Sequence, residues 1–463
     1  MEQSVTARQE NEAAEPSLFD IALALHKQEK NDEAILAYRR MLLTDPNHVA
    51  SWRNLGAVLR KTGHFESSVA CLKRALELLP DSPETLTNLG NSLTDMDRME
   101  PALEAHAKAV ATMPNNFLMR KNYTVALRKF AHLKEALAQL EKVFLLKPDD
   151  EKMRWEYAVI CLHLGLYKQG WEALEVRWKI GMKDRNYDVP RWRGEDLKDK
   201  TILVYKEQGF GDTILCSRYI PMIKARGGRV IFECQKQLHR LFQAIPGIDK
   251  LTELGSTIDE PFDYHVPMLS LPWIFNTDQT SIPPPPPLFV PDAPPPEAKR
   301  LLDLGKGRLK VGIVWSGSVT FLENSKRAVS AAQFLPLAEI PYVQLYSLQK
   351  GPREQDIVDC GGQGPILALG PHLQDFADTA AALKELDLVI MTDSSVAHLA
   401  SSLGRPVWNL LNYAPYWLYK MQGETCAWYP SMRLFRQTTP GDWENVFRNV
   451  ATELAKLADK KQA

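Results

Sequence analysis

The sequence lacks the features that mark exported, membrane-bound or nucleic-acid-binding proteins. No run of apolar residues approaches the roughly 18 that a membrane span needs, and the first residues contain no apolar signal core. The formal net charge of -1 gives no general attraction to nucleic acid or to an anionic membrane. We therefore expect a cytoplasmic protein with no membrane span and no nucleic-acid partner.

Cysteine is scarce, and its spacing excludes the usual pairing motifs. No CxxC pair occurs among the six cysteines: Cys71, Cys161, Cys216, Cys234, Cys360 and Cys426. This scatter indicates reduced, mostly buried thiols of a cytosolic protein. The only Asp-x-Asp, Asp95 to Asp97, falls in a predicted turn between helices, so we expect it to be an exposed connector and not a metal site.

What the sequence does contain is a ladder of four prolines at intervals of 34 residues: Pro46, Pro80, Pro114 and Pro148. This period is typical of the tetratricopeptide repeat (TPR), a helix pair that stacks into a solenoid. Large and small residues recur in the same slots of successive repeats: Leu55, Gly56 and Ala75 match Leu89, Gly90 and Ala109. We predict four repeats over residues 15–148, after a flexible N-terminus of residues 1–14.

Beyond Pro148 the repeat pattern fades. Tyr157 and Ala158 keep the register of a fifth helix pair, but Arg177 stands where a small residue belongs. Terminal repeats are commonly atypical, because one face meets a different element. We therefore predict a degenerate fifth pair and joint over residues 149–197.

From residue 198 the pattern changes to strands that alternate with helices. The candidate strands are Thr201–Tyr205, Arg229–Glu233, Phe262–Val266, Leu309–Trp315, Val343–Leu348, Leu386–Met391, Pro406–Leu411 and Arg433–Phe435. Alternation of this kind predicts parallel sheets with helices on both faces. A proline-rich linker, residues 283–307, separates an N-terminal lobe, residues 198–282, from a C-terminal lobe, residues 308–463. Ligands of such lobes bind at the carboxyl ends of the strands.

The loop after the first of these strands carries candidate site residues: Gln208, Gly209, Gly211, Asp212 and Thr213. Two glycines let backbone N–H groups approach a ligand closely at a helix start. Asp212 is either a helix N-terminal cap or a general base that faces the cleft. The third glycine of a dinucleotide fingerprint is missing, since Ile214 occupies that position, which argues against a nicotinamide oxidoreductase.

A second loop with suggestive chemistry follows the strand that ends near Met391. Its candidate residues are Thr392, Asp393, Ser394, Ser395 and His398. Hydroxyls and free N–H groups at a helix start predict a pyrophosphate cradle, and the alternative is a simple capping cluster. His398 is either a core histidine or a residue that faces phosphate.

Four segments carry a resemblance to a known family: Gly209–Thr213, Val311–Gly317, Ser347–Gly351 and Asp393–His398. They resemble heptosyltransferase-type GT-B glycosyltransferases and, more closely, bacterial proteins that fuse TPR repeats to such a domain. The resemblance covers nearly the whole chain. It implies an α-helical TPR solenoid followed by a GT-B type α/β glycosyltransferase of two Rossmann-like lobes. The N-terminal lobe would face the acceptor, and the C-terminal lobe would hold the nucleotide-sugar.

The resemblance also implies roles for single residues. Asp212 would be the base, the loop from Thr392 to His398 would hold the donor phosphates, and Arg327 would meet the donor diphosphate. Lys350 is a further candidate phosphate contact, and plain solvent exposure is the alternative for both Arg327 and Lys350. Two aromatic residues, Tyr413 and Trp417, are candidates for stacking on the base or sugar, and ordinary packing is the alternative. Where heptosyltransferases often have Asp-Thr-Gly or Asp-Thr-Ala, this chain has Asp-Ser-Ser, so the sugar preference is not carried over.

The expected function is a metal-independent, inverting transfer of sugar from a nucleotide-sugar to a Ser or Thr hydroxyl of a protein. The TPR groove would hold this acceptor, and related fusions make flagellin a candidate. We expect no cofactor beyond the nucleotide-sugar co-substrate. The alternatives are a non-catalytic TPR adaptor with a nucleotide-binding α/β domain, and a transferase that acts on a glycolipid or lipopolysaccharide acceptor.

Overall fold

The computed structural model describes residues 16–182, 185–321 and 324–462. The chain forms two compact units, one that ends at Asp149 and one that begins at Asp150. The predicted flexible N-terminus, residues 1–14, lies outside the described residues. Within the described ranges, no helix is both long enough and apolar enough to cross a membrane.

The first unit is a solenoid of helix pairs that follow the 34-residue period. Its described helices are α1 Leu18–Lys27, α2 Asn31–Thr44, α3 Val49–Lys61, α4 Phe65–Leu78, α5 Pro83–Asp95, α6 Met99–Thr112, α7 Phe117–Lys129 and α8 Leu133–Leu146. Consecutive helices pack on one another, and α1, α3, α5 and α7 also contact each other in turn. The odd-numbered helices therefore form one layer of the solenoid, and the predicted helix-pair solenoid is confirmed.

Small residues in the repeats lie where two helices cross closely. A methyl group added to Gly56 would lie 2.6 Å from Cγ of Leu72, and one added to Gly90 would lie 2.7 Å from the ring of His106. Carbon atoms in contact normally stay about 3.5–4.0 Å apart. Glycine is therefore the residue that fits these slots, which is why it recurs there.

The second unit opens with the atypical helix pair, α9 Glu151–Leu164 and α10 Tyr167–Leu174, and a short 3-10 helix, Glu175–Trp178. Asp150 caps α9, because its side chain accepts a hydrogen bond from the Met153 N–H at 3.0 Å. The second unit begins at this capping residue, so α9 belongs to the α/β unit and not to the solenoid.

The atypical pair packs on both α/β lobes. Trp171 donates to the carbonyl of Thr277 at 3.0 Å, in the N-terminal lobe. Tyr167 accepts from the indole N–H of Trp428 at 3.1 Å, in the C-terminal lobe. The rings of Trp171 and Trp417 meet edge to face at 5.0 Å. The departure from the repeat pattern thus follows from the aromatic contacts that this pair makes with the lobes.

The N-terminal lobe contains a four-stranded parallel sheet in the order β3-β2-β1-β4. Its strands are β1 Thr201–Tyr205, β2 Arg229–Cys234, β3 Lys250–Glu253 and β4 Tyr264–Pro267. Its helices are α11 Phe210–Cys216, α12 Ile220–Lys224, α13 His239–Phe242 and α14 Leu271–Ile274. The predicted α/β character is confirmed, and β3 is a strand that the sequence did not predict.

One face of this sheet differs from the prediction of helices on both faces. Leu203, Tyr205 and Ile231 share that face, and they pack against side chains from irregular segments: Tyr187, Ile258 and Phe262. Arg185 also lies there, over the ring of Tyr205 at 4.4 Å, and pairs with Glu233 at 2.7 Å. Aromatic rings and a buried ion pair cover the sheet at the place where a helix was predicted.

The C-terminal lobe contains a seven-stranded sheet in the order β10-β11-β9-β8-β5-β6-β7, parallel except for the β10–β11 pair. Its strands are β5 Leu309–Val314, β6 Val343–Ser347, β7 Ile366–Ala368, β8 Leu388–Thr392, β9 Val407–Leu411, β10 Thr425–Cys426 and β11 Tyr429–Arg436. Its helices are α15 Pro296–Leu304, α16 Asn324–Arg327, α17 Leu335–Ala338, α18 Asp356–Asp359, α19 Phe376–Lys384, α20 Ser395–Ser402 and α21 Trp443–Gln462.

The order of these strands creates a switch point between β5 and β8, which lie side by side. The chain continues from β5 to β6 and β7 on one side, and from β8 to β9 on the other. The carboxyl ends of two such strands border a crevice, and ligands of α/β sheets bind there.

The proline-rich segment is only partly extended. In its second half, Pro296 begins helix α15, a position that suits proline because the first helical N–H needs no partner. Ala298 and Leu302 of this helix are fully buried. The predicted linker of residues 283–307 therefore ends in a packed helix.

Candidate active site

The two predicted site loops lie together in the structure. Helix α11, which follows β1, packs on helix α20, which follows β8. We call the residues that meet there, 208–213 and 392–398, the lobe junction. It joins the carboxyl end of a strand in each lobe, so both predicted loops face the same space.

Asp393 is the centre of an ion-paired cluster at the β5–β8 switch point. Its Oδ2 lies 3.0 Å from Nη1 of Arg327, which follows β5. The hydroxyl of Tyr419 donates to Oδ1 at 2.7 Å. Both carboxylate oxygens are thus engaged, and Asp393 holds Arg327 at the end of β8.

Polar atoms next to this cluster are buried and unpaired. Among the described residues, Oγ1 of Thr392, Oγ of Ser394 and Nε of Arg327 have no hydrogen-bond partner. Ser394 is the N-cap of α20 but makes no side-chain cap bond, and Ser395 begins the helix half-buried. Buried polar groups usually have partners. Hydroxyls, a guanidinium N–H and a helix N-terminus together suit the oxygens of a bound anion.

Asp212 lies in the first turn of α11 and is half-buried. The hydroxyl of Tyr416 donates to its Oδ1 at 3.3 Å. Burial and the nearby charge of Asp393 raise the pKa of Asp212 to about 6, although Tyr416 and the Gly209 N–H oppose this shift. A carboxylate with a pKa closer to neutrality is better suited to general-base catalysis than an ordinary one.

His398 is buried in the first turns of α20, next to Gly211. A methyl group added to Gly211 would lie 2.8 Å from Cδ2 of this histidine. Its Nδ1 lies 3.1 Å from the hydroxyl of Tyr429. Burial lowers the pKa of His398 to about 4, and only the charge of Asp393 opposes that change. His398 is therefore a neutral ring at physiological pH.

Hydrogen bonds hold the segment of residues 208–211, which we call the glycine loop. The Thr213 hydroxyl bonds to the Gly209 carbonyl at 3.0 Å and to Oε1 of Gln235 at 3.2 Å. Gln235 in turn donates to the carbonyl of Gln208 at 3.4 Å. Of the two glycines predicted to admit a ligand, Gly211 also makes the contact between the two lobes.

Three predicted site residues have their described contacts outside the lobe junction: Lys350, Trp417 and Tyr413. The ammonium of Lys350 donates to the carbonyls of Gly370 and Leu373 at 2.9 and 2.5 Å. Trp417 is 5% exposed and packs in the aromatic cluster around α10, so its ring faces are covered. Tyr413 is half-buried, and its backbone N–H donates to Gln437 at 3.1 Å.

The residues that sequence reasoning missed are three tyrosines whose hydroxyls form hydrogen bonds in the lobe junction. Tyr416, Tyr419 and Tyr429 bond to Asp212, Asp393 and His398 respectively. From the sequence, the aromatic residues of this region were candidates only for stacking or packing. No spacing rule links them to their partners, because the contacts join distant parts of the chain.

Arg177 forms an ion pair with Glu207, the residue that directly precedes the glycine loop. It is 1% exposed, and its Nε lies 2.7 Å from Oε2 of Glu207. Glu207 also accepts from the Leu269 N–H at 3.0 Å. Arg177, which departs from the repeat pattern, is thus bound by an ion pair to the segment that leads to Asp212.

The solenoid holds a second candidate site. Asn54, Asn88 and Asn122 recur at intervals of 34 residues on α3, α5 and α7, and all three are half-buried. Within the described part of the chain, the amides of Asn88 and Asn122 have no hydrogen-bond partner. The period itself was the signal that could have revealed these residues. Amide side chains present both a donor and an acceptor, as a peptide backbone requires.

A metal centre does not form in the described residues, where no three His, Cys, Asp or Glu side chains come together. The carboxylates of the Asp-x-Asp turn form ion pairs, Asp95 with Arg60 at 2.6 Å and Asp97 with Lys129 at 2.7 Å. The described cysteines are free thiols, and all except Cys360 are buried.

Comparison with known proteins supports the assignment of the solenoid. A tetratricopeptide repeat family profile matches residues 21–87. Protein FlbA of Caulobacter vibrioides is 27% identical over 330 residues, which cover 65% of this chain and 54% of FlbA. The chain thus spans about half the length of this curated relative.

Solved structures of repeat proteins also match part of the chain. A MamA crystal structure is 21% identical, with a TM-score of 0.32, and the match covers 35% of this chain and 94% of MamA. YrrB, described as a TPR protein with an unusual peptide-binding site, is 19% identical, with a TM-score of 0.32 and coverage of 36% and 86%. MamA from Desulfovibrio magneticus RS-1 is 17% identical, with a TM-score of 0.32 and coverage of 37% and 95%.

Proposed function

We propose that this protein is an inverting GT-B glycosyltransferase that needs no metal and moves a sugar from a nucleotide-sugar to a protein hydroxyl. The observation that carries the proposal is the lobe junction itself. There, a carboxylate with a raised pKa, Asp212, faces a loop whose buried hydroxyls and Arg327 Nε are unpaired among the described residues. The carboxylate of Asp212 suits the role of general base. The hydroxyls and the guanidinium of Arg327 suit the binding of the donor diphosphate.

The reaction follows from these positions. Asp212 takes the proton of the acceptor hydroxyl, whose oxygen attacks the anomeric carbon and forms the new C–O bond. The bond from that carbon to the phosphate oxygen breaks on the opposite face, and its electron pair leaves with the nucleotide. Arg327, Ser394 and the N-terminus of α20 stabilise the developing phosphate charge. Attack opposite the leaving group inverts the anomeric configuration.

The solenoid supports a protein acceptor over a glycolipid. The asparagines of α3, α5 and α7 form a row that suits an extended peptide with alternating N–H and C=O groups. We infer that a Ser or Thr hydroxyl of this peptide is the nucleophile, and flagellin is a candidate acceptor from the resemblance to related fusions. A lipopolysaccharide acceptor offers no such backbone.

A two-step experiment tests the proposal. First, the protein is heated with a panel of nucleotide-sugars, and we expect one class to raise the melting temperature. Second, transfer from that donor to protein acceptors is followed by mass spectrometry, with and without a chelator. We expect transfer that the chelator does not change, and that is lost in Asp212→Asn while donor binding persists.

The matched control is Asp259→Asn, which removes an exposed carboxylate from the same lobe. Donor binding without transfer to any acceptor would favour the non-catalytic adaptor. Full activity of Asp212→Asn would contradict the assignment of the base. Stabilisation by NAD and by no nucleotide-sugar would contradict the proposed reaction class.

A further inference from the structure

His398 and Tyr429 form a buried pair at the lobe junction. The Tyr429 hydroxyl lies 3.1 Å from Nδ1 of His398, and the two rings meet edge to face at 5.6 Å. Tyr429 is fully buried, and His398 is 6% exposed. A hydrogen bond in such surroundings has no competing water and sets the orientation of the ring.

The protonation states leave two arrangements for this bond. Burial raises the pKa of Tyr429 to about 12 and lowers the pKa of His398 to about 4. At neutral pH the tyrosine therefore keeps its hydrogen, and the imidazole carries only one. Either the hydroxyl donates to Nδ1, or Nδ1 carries the proton and donates to the hydroxyl oxygen.

Arg218 selects between these arrangements. Its guanidinium lies over the Tyr429 ring, 5.2 Å from the ring centre, and lowers the pKa of the Tyr429 hydroxyl through its charge and as a hydrogen-bond partner. The hydroxyl of Ser402 lowers the same pKa as a hydrogen-bond partner. A guanidinium has donors and no acceptor. Beside it, the Tyr429 oxygen acts as an acceptor, so the hydroxyl hydrogen is directed to Nδ1 of His398.

The other ring nitrogen then carries the proton and faces the opposite lobe. A methyl group added to Gly211 would lie 3.1 Å from Nε2 of His398. Gly211 directly precedes Asp212 in the first turn of α11. The Cδ2–Nε2 edge of the ring thus faces the helix turn that carries Asp212.

We propose that Tyr429 is a positioning residue that holds His398 as the neutral tautomer with its proton on Nε2, as a hydrogen-bond donor to the departing phosphate. The proposal rests on the proposed glycosyl transfer. His398 transfers no proton in this step. When the bond between the anomeric carbon and the phosphate oxygen breaks, the electron pair moves to that oxygen, and the Nε2–H stabilises its charge.

The tautomer can be measured without any substrate. In the full chain labelled with ¹⁵N-histidine, long-range ¹⁵N–¹H correlation spectra distinguish a protonated Nε2 from a protonated Nδ1. We expect a single Nε2–H tautomer for His398 at neutral pH, and a mixture of both tautomers in Tyr429→Phe. A protonated Nδ1 in the wild type, or an unchanged tautomer in Tyr429→Phe, would overturn the proposal.

Kinetics separate a positioning role from a merely structural one. With the donor found in the nucleotide-sugar screen, we expect Tyr429→Phe to lower kcat about 10- to 100-fold, with a nearly unchanged KM for the donor. His398→Gln keeps an amide N–H near the place of Nε2, so it should retain more activity than His398→Ala. In the His398→Gln background, Tyr429→Phe should have no further effect. An equal loss in both backgrounds would overturn the proposal.

The matched control is Tyr219→Phe, which removes an equally buried hydroxyl that bonds to Thr277 at 2.8 Å. We expect it to leave kcat and the His398 tautomer unchanged. If no donor supports transfer, the proposed function fails, and the spectra still decide the tautomer. If transfer occurs but His398 is not the Nε2–H tautomer, only the proposed role of Tyr429 is refuted.

Discussion

Gly211 lies directly against the imidazole ring of His398, so closely that a methyl group on Gly211 would be 2.8 Å from Cδ2. This contact joins the first turn of α11 to α20 and brings the two site loops together. The chemistry proposed for the lobe junction depends on this approach, because Asp212 is the next residue along the chain.

Replacing Gly211 tests that dependence. We expect Gly211→Ala to destabilise the α/β unit by about 1–3 kcal/mol, because the buried ring has to shift, and to reduce transfer. Gly364→Ala is the control, since a methyl group there meets no atom within 4 Å. The measurements are the midpoint of urea unfolding and the initial rate of transfer. Equal behaviour of the two variants would show that the lobes do not need this contact.

The raised pKa of Asp212 predicts a pH dependence of the rate. Since the base is active as a carboxylate and its pKa is about 6, kcat/KM should fall as the pH drops below that value. Tyr416→Phe removes a hydrogen bond that lowers this pKa, so it should move the inflection to higher pH. The half-exposed Tyr342→Phe serves as control. An inflection near the ordinary aspartate pKa of about 3.9 would contradict the assignment.

A buried histidine makes the solenoid sensitive to acid. His106 is 1% exposed, and neither ring nitrogen has a hydrogen-bond partner among the described residues. Burial lowers its pKa from the usual 6.5 to about 4. In that interval the unfolded chain binds a proton that the folded repeat does not, so stability falls as the pH falls.

We expect this effect to cost about 2 kcal/mol between neutral pH and pH 5. His106→Leu, which copies the residue in the same slot of the neighbouring repeats, Leu72 and Leu140, should lose correspondingly less stability on acidification. The exposed His64→Gln is the control. Thermal unfolding at both pH values measures the difference, and identical losses in wild type and His106→Leu would contradict the prediction.

Breaking the buried ion pair of Arg177 and Glu207 should strongly lower the stability of the protein. The side chains of Arg177 and Glu207 are 1% and 3% exposed. Glu207→Gln removes the more deeply buried of the two carboxylates that pair with Arg177 and leaves only Glu175, which lies 2.5 Å from Nη1. We therefore expect a loss of about 3 kcal/mol in stability. The exposed pair of Arg448 and Glu444 is the control, and Glu444→Gln should change stability by less than about 1 kcal/mol. Urea unfolding gives the free energy of unfolding of both variants. Similar small losses of stability in Glu207→Gln and Glu444→Gln would show that the buried pair is not critical.

The asparagine row predicts a defect confined to the protein acceptor. We expect joint replacement of Asn54, Asn88 and Asn122 by alanine to raise KM for the acceptor about tenfold or more, since several backbone hydrogen bonds are lost. KM for the donor should stay unchanged. The exposed Asn115→Ala is the control. A normal acceptor KM in the triple variant would show that the peptide binds elsewhere.

Much of the architecture could be predicted because it follows from local periods. The prolines and glycines of the repeats predicted the solenoid, and alternating apolar runs predicted most strands of the α/β lobes. The predictions failed where neighbours far along the chain decide the structure. Helix α15 lies within the predicted linker because its apolar face is buried, and irregular segments cover one face of the N-terminal sheet because their aromatic rings fill it.

Short stretches of the chain are enough to encode the repeat architecture, the alternation of strands and helices, and the loops that carry Asp212 and Asp393. The use of these two carboxylates, in contrast, depends on contacts that form only in the folded protein. Tyr416, which bonds to Asp212, lies 204 residues away along the chain. Burial and the charge of Asp393 raise the pKa of Asp212, and both arise only when the two lobes pack together. Hydrogen bonds and desolvation depend on distances in space, which no spacing in the sequence records.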